Sequence, residues 1–176
     1  MVRRKGFTLI EVLVVVAIIG IATSIVLVSM SSGRINQQVQ GDARRLTGLI
    51  RELQNNALAG EQIVAGRVSC GFSLPAVGAG ATTITSQYFY RVGPTCTILT
   101  AASAPLQTFT LSPGVSISVA NGGVRFFVPW GEVWDGGATA PIAVPVQYTL
   151  VKSTVTWSVC VYQGGRIEES AGASCP

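Results

Sequence analysis

Gly6-Phe7-Thr8-Leu9-Ile10-Glu11, set behind the basic leader Met1-Val2-Arg3-Arg4-Lys5 and ahead of an aliphatic run to Val28, decides how this chain is read. From Val12 to Val28 only Gly20, Thr23 and Ser24 interrupt the aliphatic residues, and residues 7–30 form one span of 24 residues. A helix rising ~1.5 Å per residue crosses a hydrocarbon core of ~30 Å at that length. Arg3, Arg4 and Lys5 precede it, so the positive-inside rule keeps the N-terminus cytoplasmic and sends the remainder across the membrane. A charge near the start of such a helix is costly in hydrocarbon, which marks Glu11 as a functional residue in need of a partner.

Two ordinary readings account for less of this. A secretory signal ends its apolar core after about 7–15 residues and is followed by a small-residue cleavage site. A plain signal anchor fits the length and leaves Glu11 unexplained. A glutamate snorkelling to the interface is the structural alternative for that residue.

The leader, Gly6, Phe7, Glu11 and the spanning helix at these offsets resemble the class III signal of type IV prepilins and type II secretion pseudopilins. The resemblance implies that a membrane peptidase cuts between Gly6 and Phe7 on the cytoplasmic side. It also implies that Phe7 is N-methylated, that the helix is retained, and that Glu11 becomes the fifth mature residue. In a filament of bundled helices the Glu11 carboxylate is buried and costs several kcal/mol unless paired. The amine of Phe7 on a neighbouring subunit is its natural partner, so the pair acts as a register device.

The implied fold is α+β and pilin-like, a long N-terminal helix packed on a C-terminal antiparallel β-sheet domain. Residues 1–6 are the leader, 7–30 the transmembrane or filament-core helix, 31–60 its amphipathic continuation, and 61–176 the extracytoplasmic β-rich domain. In the continuation Val39, Ala43, Leu46, Leu49, Ile50, Leu53 and Ala57 recur at threes and fours, and Arg44, Arg45, Arg51 and Glu52 fall among polar positions. Gly60 is a plausible stop.

Alternation and turn residues predict strands over 67–74, 84–92, 95–100, 106–111, 115–119, 124–128, 142–150, 154–162 and 165–168. Asn121-Gly122 is the best hairpin signal. Pro145 implies an edge strand or a bulge, and residues 78–81 read as a flexible surface loop. The segment Phe127-Val128-Pro129-Trp130-Gly131, followed by Val159-Cys160-Val161 and Gly165-Arg166-Ile167, resembles the F-x-P-x-G … V-x-V … G-R-I closing pattern of GspH/FimT-like minor pseudopilins and pilins.

The net charge of +4 misleads. The leader holds three of the twelve basic residues and none of the eight acidic ones, so residues 7–176 carry nine against eight. That balance argues against nucleic acid as a partner. Cys70, Cys96, Cys160 and Cys175 all follow the apolar segment, and in an oxidising compartment an even count suggests two bridges with three possible pairings. Cys70–Cys96 with Cys160–Cys175 is favoured because each closes a local loop, the second stapling the C-terminal tail.

The chain has no histidine, which removes Ser-His-Asp, Cys-His and H-E-x-x-H chemistry. A zinc site also lacks a C-x-x-C pair. Glu132 and Asp135 beside Trp130 and Trp134 raise a carboxylate pair, but a glycine-rich turn reads better as a solvated loop. The two tryptophans form either a contact patch or part of the core. The expectation is therefore a non-enzyme without cofactor or metal, anchored in a bacterial inner membrane. Its partners are other pilin or pseudopilin subunits and the prepilin peptidase. A minor pseudopilin (GspH-like) of a type II secretion system is the first reading. A minor type IV pilin (FimT/FimU-like), acting in pilus assembly or DNA uptake, is the alternative, and a lone anchored β domain is a third.

Overall fold

The computed structural model describes residues 8–63, 65–92, 96, 101–120, 122–136 and 141–176, without the side chains of 25–32 and 101. Helix α1 runs from Leu9 to Ala59 and ends in a Schellman arrangement. The Glu61 amide donates to the Asn56 carbonyl at 3.1 Å and the Gly60 amide to Ala57 at 3.2 Å. Gly60 takes the φ of 65° that this ending requires.

The chain divides into two compact units, Met1–Gln37 and Gln38–Pro176. In the first, the large aliphatic side chains from Leu9 to Ile21 are each 49–83% exposed. Because Val12–Val16 are consecutive, that exposure runs round the whole helix and not along one stripe. Among the described residues no helix is long and apolar enough to cross a membrane. The span 7–30 drawn from the sequence includes Phe7 and the side chains of 25–30, which lie outside them.

The second unit holds the rest of α1 and two antiparallel sheets. Strands β1 (Ser69–Leu74), β2 (Thr83–Arg91), β3 (Ala101–Thr110), β5 (Val124–Phe127) and β6 (Val133–Asp135) form the first sheet, in the order β3-β2-β1-β5-β6. Strands β4 (Ser116–Ala120), β7 (Val146–Lys152), β8 (Val155–Val161) and β9 (Ile167–Ala171) form the second, in the order β4-β7-β8-β9. The periodic helix positions Val39, Ala43, Leu46, Leu49, Ile50, Leu53 and Ala57 are all buried. They share a core with Phe72, Leu74, Tyr88 and Phe126 of the first sheet and Ile117, Leu150 and Val159 of the second. Tyr148 ties the sheets together, its hydroxyl donating to the Leu74 carbonyl at 3.0 Å.

Where this helical segment begins, a polar clamp replaces apolar packing. Asp42, 2% exposed, accepts from the Ser112 amide at 2.8 Å and the Ser112 hydroxyl at 2.9 Å. Lys152 Nζ donates to Gln38 Oε1 at 2.6 Å and to the Pro113 carbonyl at 2.7 Å. The turn gripped from both sides is Ser112-Pro113-Gly114, closed by the Val115 amide on the Ser112 carbonyl at 2.9 Å.

Several expectations from the sequence are corrected. Asn121-Gly122 does not close a hairpin: β4 pairs with β7, and β5 pairs with β1 and β6. Asn121 lies outside the described residues, and Gly122 at φ 158° is close to extended, so the chain passes from one sheet to the other. Pro145 lies ahead of β7, not inside it, which is why β7 can occupy an interior position between β4 and β8. Glu132 and Asp135 do not share one solvated loop, since residues 133–135 form edge strand β6. Residues 78–81 are anchored to β4 by Gly80 N on the Ile117 carbonyl at 2.7 Å and Ile117 N on the Ala81 carbonyl at 2.9 Å. The strand anticipated over 95–100 lies outside the described residues, apart from Cys96.

Leu46, fully buried, leaves a core cavity when replaced, and Leu46→Ala is expected to cost about 2–5 kcal/mol. Asp42→Ala strands the Ser112 amide and is expected to cost about 1–3 kcal/mol. Urea unfolding of the full chain in detergent, followed by tryptophan fluorescence, measures both. An Asp42→Ala midpoint equal to wild type would show that the clamp carries no stability.

Candidate functional site

The N-terminal motif and the turns that hold the helix are the two places where sequence features converge. Gly6 and Phe7 lie outside the described residues. Thr8 precedes the first helical residue, and Glu11 stands in the first turn. The Glu11 amide donates to the Thr8 carbonyl at 3.1 Å and approaches the Thr8 hydroxyl at 3.4 Å. Thr8-Leu9-Ile10-Glu11 thus has the T-x-x-E spacing of a capping box, with Thr8 as N-cap and Glu11 at the third helical position. A carboxylate there also meets the positive end of the helix dipole. The T-x-x-E spacing is legible in the sequence and adds helix capping to the register role expected of Glu11. Glu11 is exposed, and no cation among the described residues pairs with it.

The closing block meets the far end of the helix. Val128–Pro129 is a cis peptide, and the Gly131 amide returns to the Phe127 carbonyl at 2.7 Å. At Gly131, φ is 65° and a Cβ would stand 2.6 Å from Leu58 Cδ2. The positive φ disfavours any side chain there, and the Leu58 tip, on a residue 52% exposed, lies against the turn. A Cβ on Gly165 would likewise collide with the Gln54 amide. Gln54 Nε2 instead donates to the Gly165 carbonyl at 3.3 Å, and Arg51 Nη2 to the Ile167 carbonyl at 3.3 Å. The glycines of this pattern are therefore positions where a turn from each sheet touches α1.

The aromatic residues divide. Phe126 is buried, Trp134 packs edge-on to Phe127 at 5.0 Å, and Trp130 is 76% exposed. Glu132 accepts from Trp134 Nε1 at 3.3 Å. Asp135 stands in register with Val124, and Phe126 with Val133, along β6. Among the described residues no cluster of three or more His, Cys, Asp or Glu side chains could hold a metal.

Cysteine bonds join Cys70 to Cys96 and Cys160 to Cys175. The second lies within a wider strap on the C-terminal residues. Gln147 Nε2 donates to the Ala173 carbonyl at 2.6 Å, the Ser158 hydroxyl to Gly172 at 2.8 Å, and the Tyr162 hydroxyl to Pro176 at 3.0 Å. Cations on this face are engaged by carboxylates, Arg44 with Glu169 at 3.7 Å and Arg166 with Glu168 at 3.1 Å.

Cys175→Ser is expected to lower stability by about 3 kcal/mol, the loop-closure value for a ring of this size, and to expose residues 172–176 to carboxypeptidase. Unchanged stability with a protected tail would mean that the hydrogen bonds alone hold the strap.

No curated protein and no solved structure matches the chain. Residues 1–27 match the family model described as Prokaryotic N-terminal methylation motif. With the long helix and antiparallel domain behind it, this match supports a type IV prepilin-like class for the chain.

Proposed function

We propose that the protein is a minor pseudopilin, GspH-like, that joins the pseudopilus of a type II secretion system. Its role is structural. The observation that carries the reading is the apolar cylinder from Leu9 to Ile21, exposed on every face, with one carboxylate in its first turn. Such a helix needs surroundings as apolar as itself, first a bilayer and then a bundle of like helices. In the bundle Glu11 accepts the amine of a neighbour's processed Phe7, and any stagger that leaves it unpaired is penalised. Prepilin peptidase makes that amine by cutting after Gly6. The fit of Gly131 and Gly165 against the helix supports the subfamily reading, because it gives the closing block a packing role.

A minor type IV pilin shares the same helix and processing. A DNA-uptake role is disfavoured by the near-even charge of residues 7–176, nine basic against eight acidic.

A strain lacking the gene, scored side by side for secreted enzymes and surface pili, tests the assignment. Loss of secretion with pili intact is the expected result, and restoration by wild type but not by Glu11→Val ties it to assembly. Loss of pili with secretion intact makes the protein a minor pilin. Survival of both contradicts the filament role.

A further inference from the structure

Arg125 lies in β5, in register with Ser73 of β1 on one side and Trp134 of β6 on the other. It is only 7% exposed. Its guanidinium stacks 4.0 Å from the Phe89 ring centroid and 6.0 Å from that of Phe127. Nη2 donates to the Gly136 carbonyl at 3.3 Å, while Nε is buried with no acceptor. All eight aspartates and glutamates of the chain are among the described residues, and none forms an ion pair with Arg125. Glu132, near in sequence, is turned to Trp134, and Asp135 holds the register position opposite Val124. Burial pushes the guanidinium pKa down from its usual value, with no neighbouring carboxylate to oppose the shift.

An uncompensated cation in this setting is a cost to the free subunit. Stacking on aromatic rings offsets part of the lost hydration, and one carbonyl satisfies one of five N–H groups. The surroundings are equally unusual, with Phe89, Phe127 and Trp134 half-buried beside it. Arginine and tryptophan together are the residues that dominate binding energy at protein interfaces. A free anion would neutralise Arg125 and leave the half-buried rings of Phe89, Phe127 and Trp134 partly in water, whereas an acidic side chain on a protein surface would cover both.

We propose that Arg125 receives a carboxylate side chain from a neighbouring filament subunit, with Phe89, Phe127 and Trp134 as the apolar rim of that contact. The inference rests on the filament reading above. The guanidinium fork suits bidentate pairing with a carboxylate, which lysine does not reproduce.

The test uses the full chain in its host, with Arg125→Met, Arg125→Lys and Glu11→Val compared for incorporation into sheared filaments. Thermal unfolding of each purified full-length variant in detergent runs alongside. Arg125→Met is expected to reduce incorporation at least tenfold while its melting temperature stays equal to wild type or rises, because an unpaired buried charge has been replaced by a thioether chain. Arg125→Lys is expected to reduce incorporation severalfold. Normal incorporation of Arg125→Met overturns the proposal, and so does a melting temperature that falls in step with incorporation, which would make Arg125 a structural residue. Acetate and phosphate titrations of the wild-type chain, read by tryptophan fluorescence, address a free anion. Submillimolar binding abolished in Arg125→Met would assign the site to small anions and overturn the subunit contact. If the wild-type chain is absent from sheared filaments, the filament reading fails and takes this proposal with it. If Glu11→Val blocks assembly while Arg125→Met does not, only this proposal fails.

Discussion

Burial of the helix stripe from Val39 to Ala57 is the interaction on which the rest of the domain depends. Two sheets of five and four strands present inner faces that need a common cover, and this stretch of α1 supplies it. Removing it would leave Phe72, Phe126, Ile117 and Leu150 without part of their core. The stripe is apolar and does not by itself fix position along the axis. The polar contacts do that: Asp42 on Ser112 and Lys152 on Gln38 at one end, Gln54 on Gly165 and Arg51 on Ile167 toward the other.

The preceding part of the same helix obeys a different rule. It is apolar all round, so no single sheet could satisfy it, and in the proposed filament its burial comes first from a bilayer and then from like helices. Apolar contact in that setting is nearly indifferent to stagger, since lipid tails compete on equal terms. A single carboxylate breaks that indifference. Glu11 belongs to the capping of its own helix through Thr8, and in the proposed filament it is also the acceptor for a neighbour's cation, linking the start of the helix to its register.

Much of this was legible in the sequence because it is periodic. The positions 39, 43, 46, 49, 50, 53 and 57 repeat at helical spacing and all are buried. Alternation placed most of the strands to within a few residues. Non-local matters were illegible. Asn121-Gly122 has the local chemistry of a tight turn, but whether β4 and β5 become neighbours is decided by which strands share a core, and here they join different sheets. Strand β6 spans three residues, Val133–Asp135, too few for alternation to register. Gly131 and Gly165 stand out as glycines, and a positive φ of 65° and 79° accounts for them, but the helix residues their turns lie against, Leu58 and Gln54, are more than seventy residues away in the chain. Arg125 gave no signal at all, because arginines in strands usually face water.

The measurement that tests the account most directly is the intact mass and N-terminal sequence of the protein extracted from its native membrane. The account predicts a chain that begins at Phe7, has lost residues 1–6, and carries one methyl group on the Phe7 amine. A chain that retains Met1 through Gly6, or one cut behind the apolar run near Met30, would contradict it.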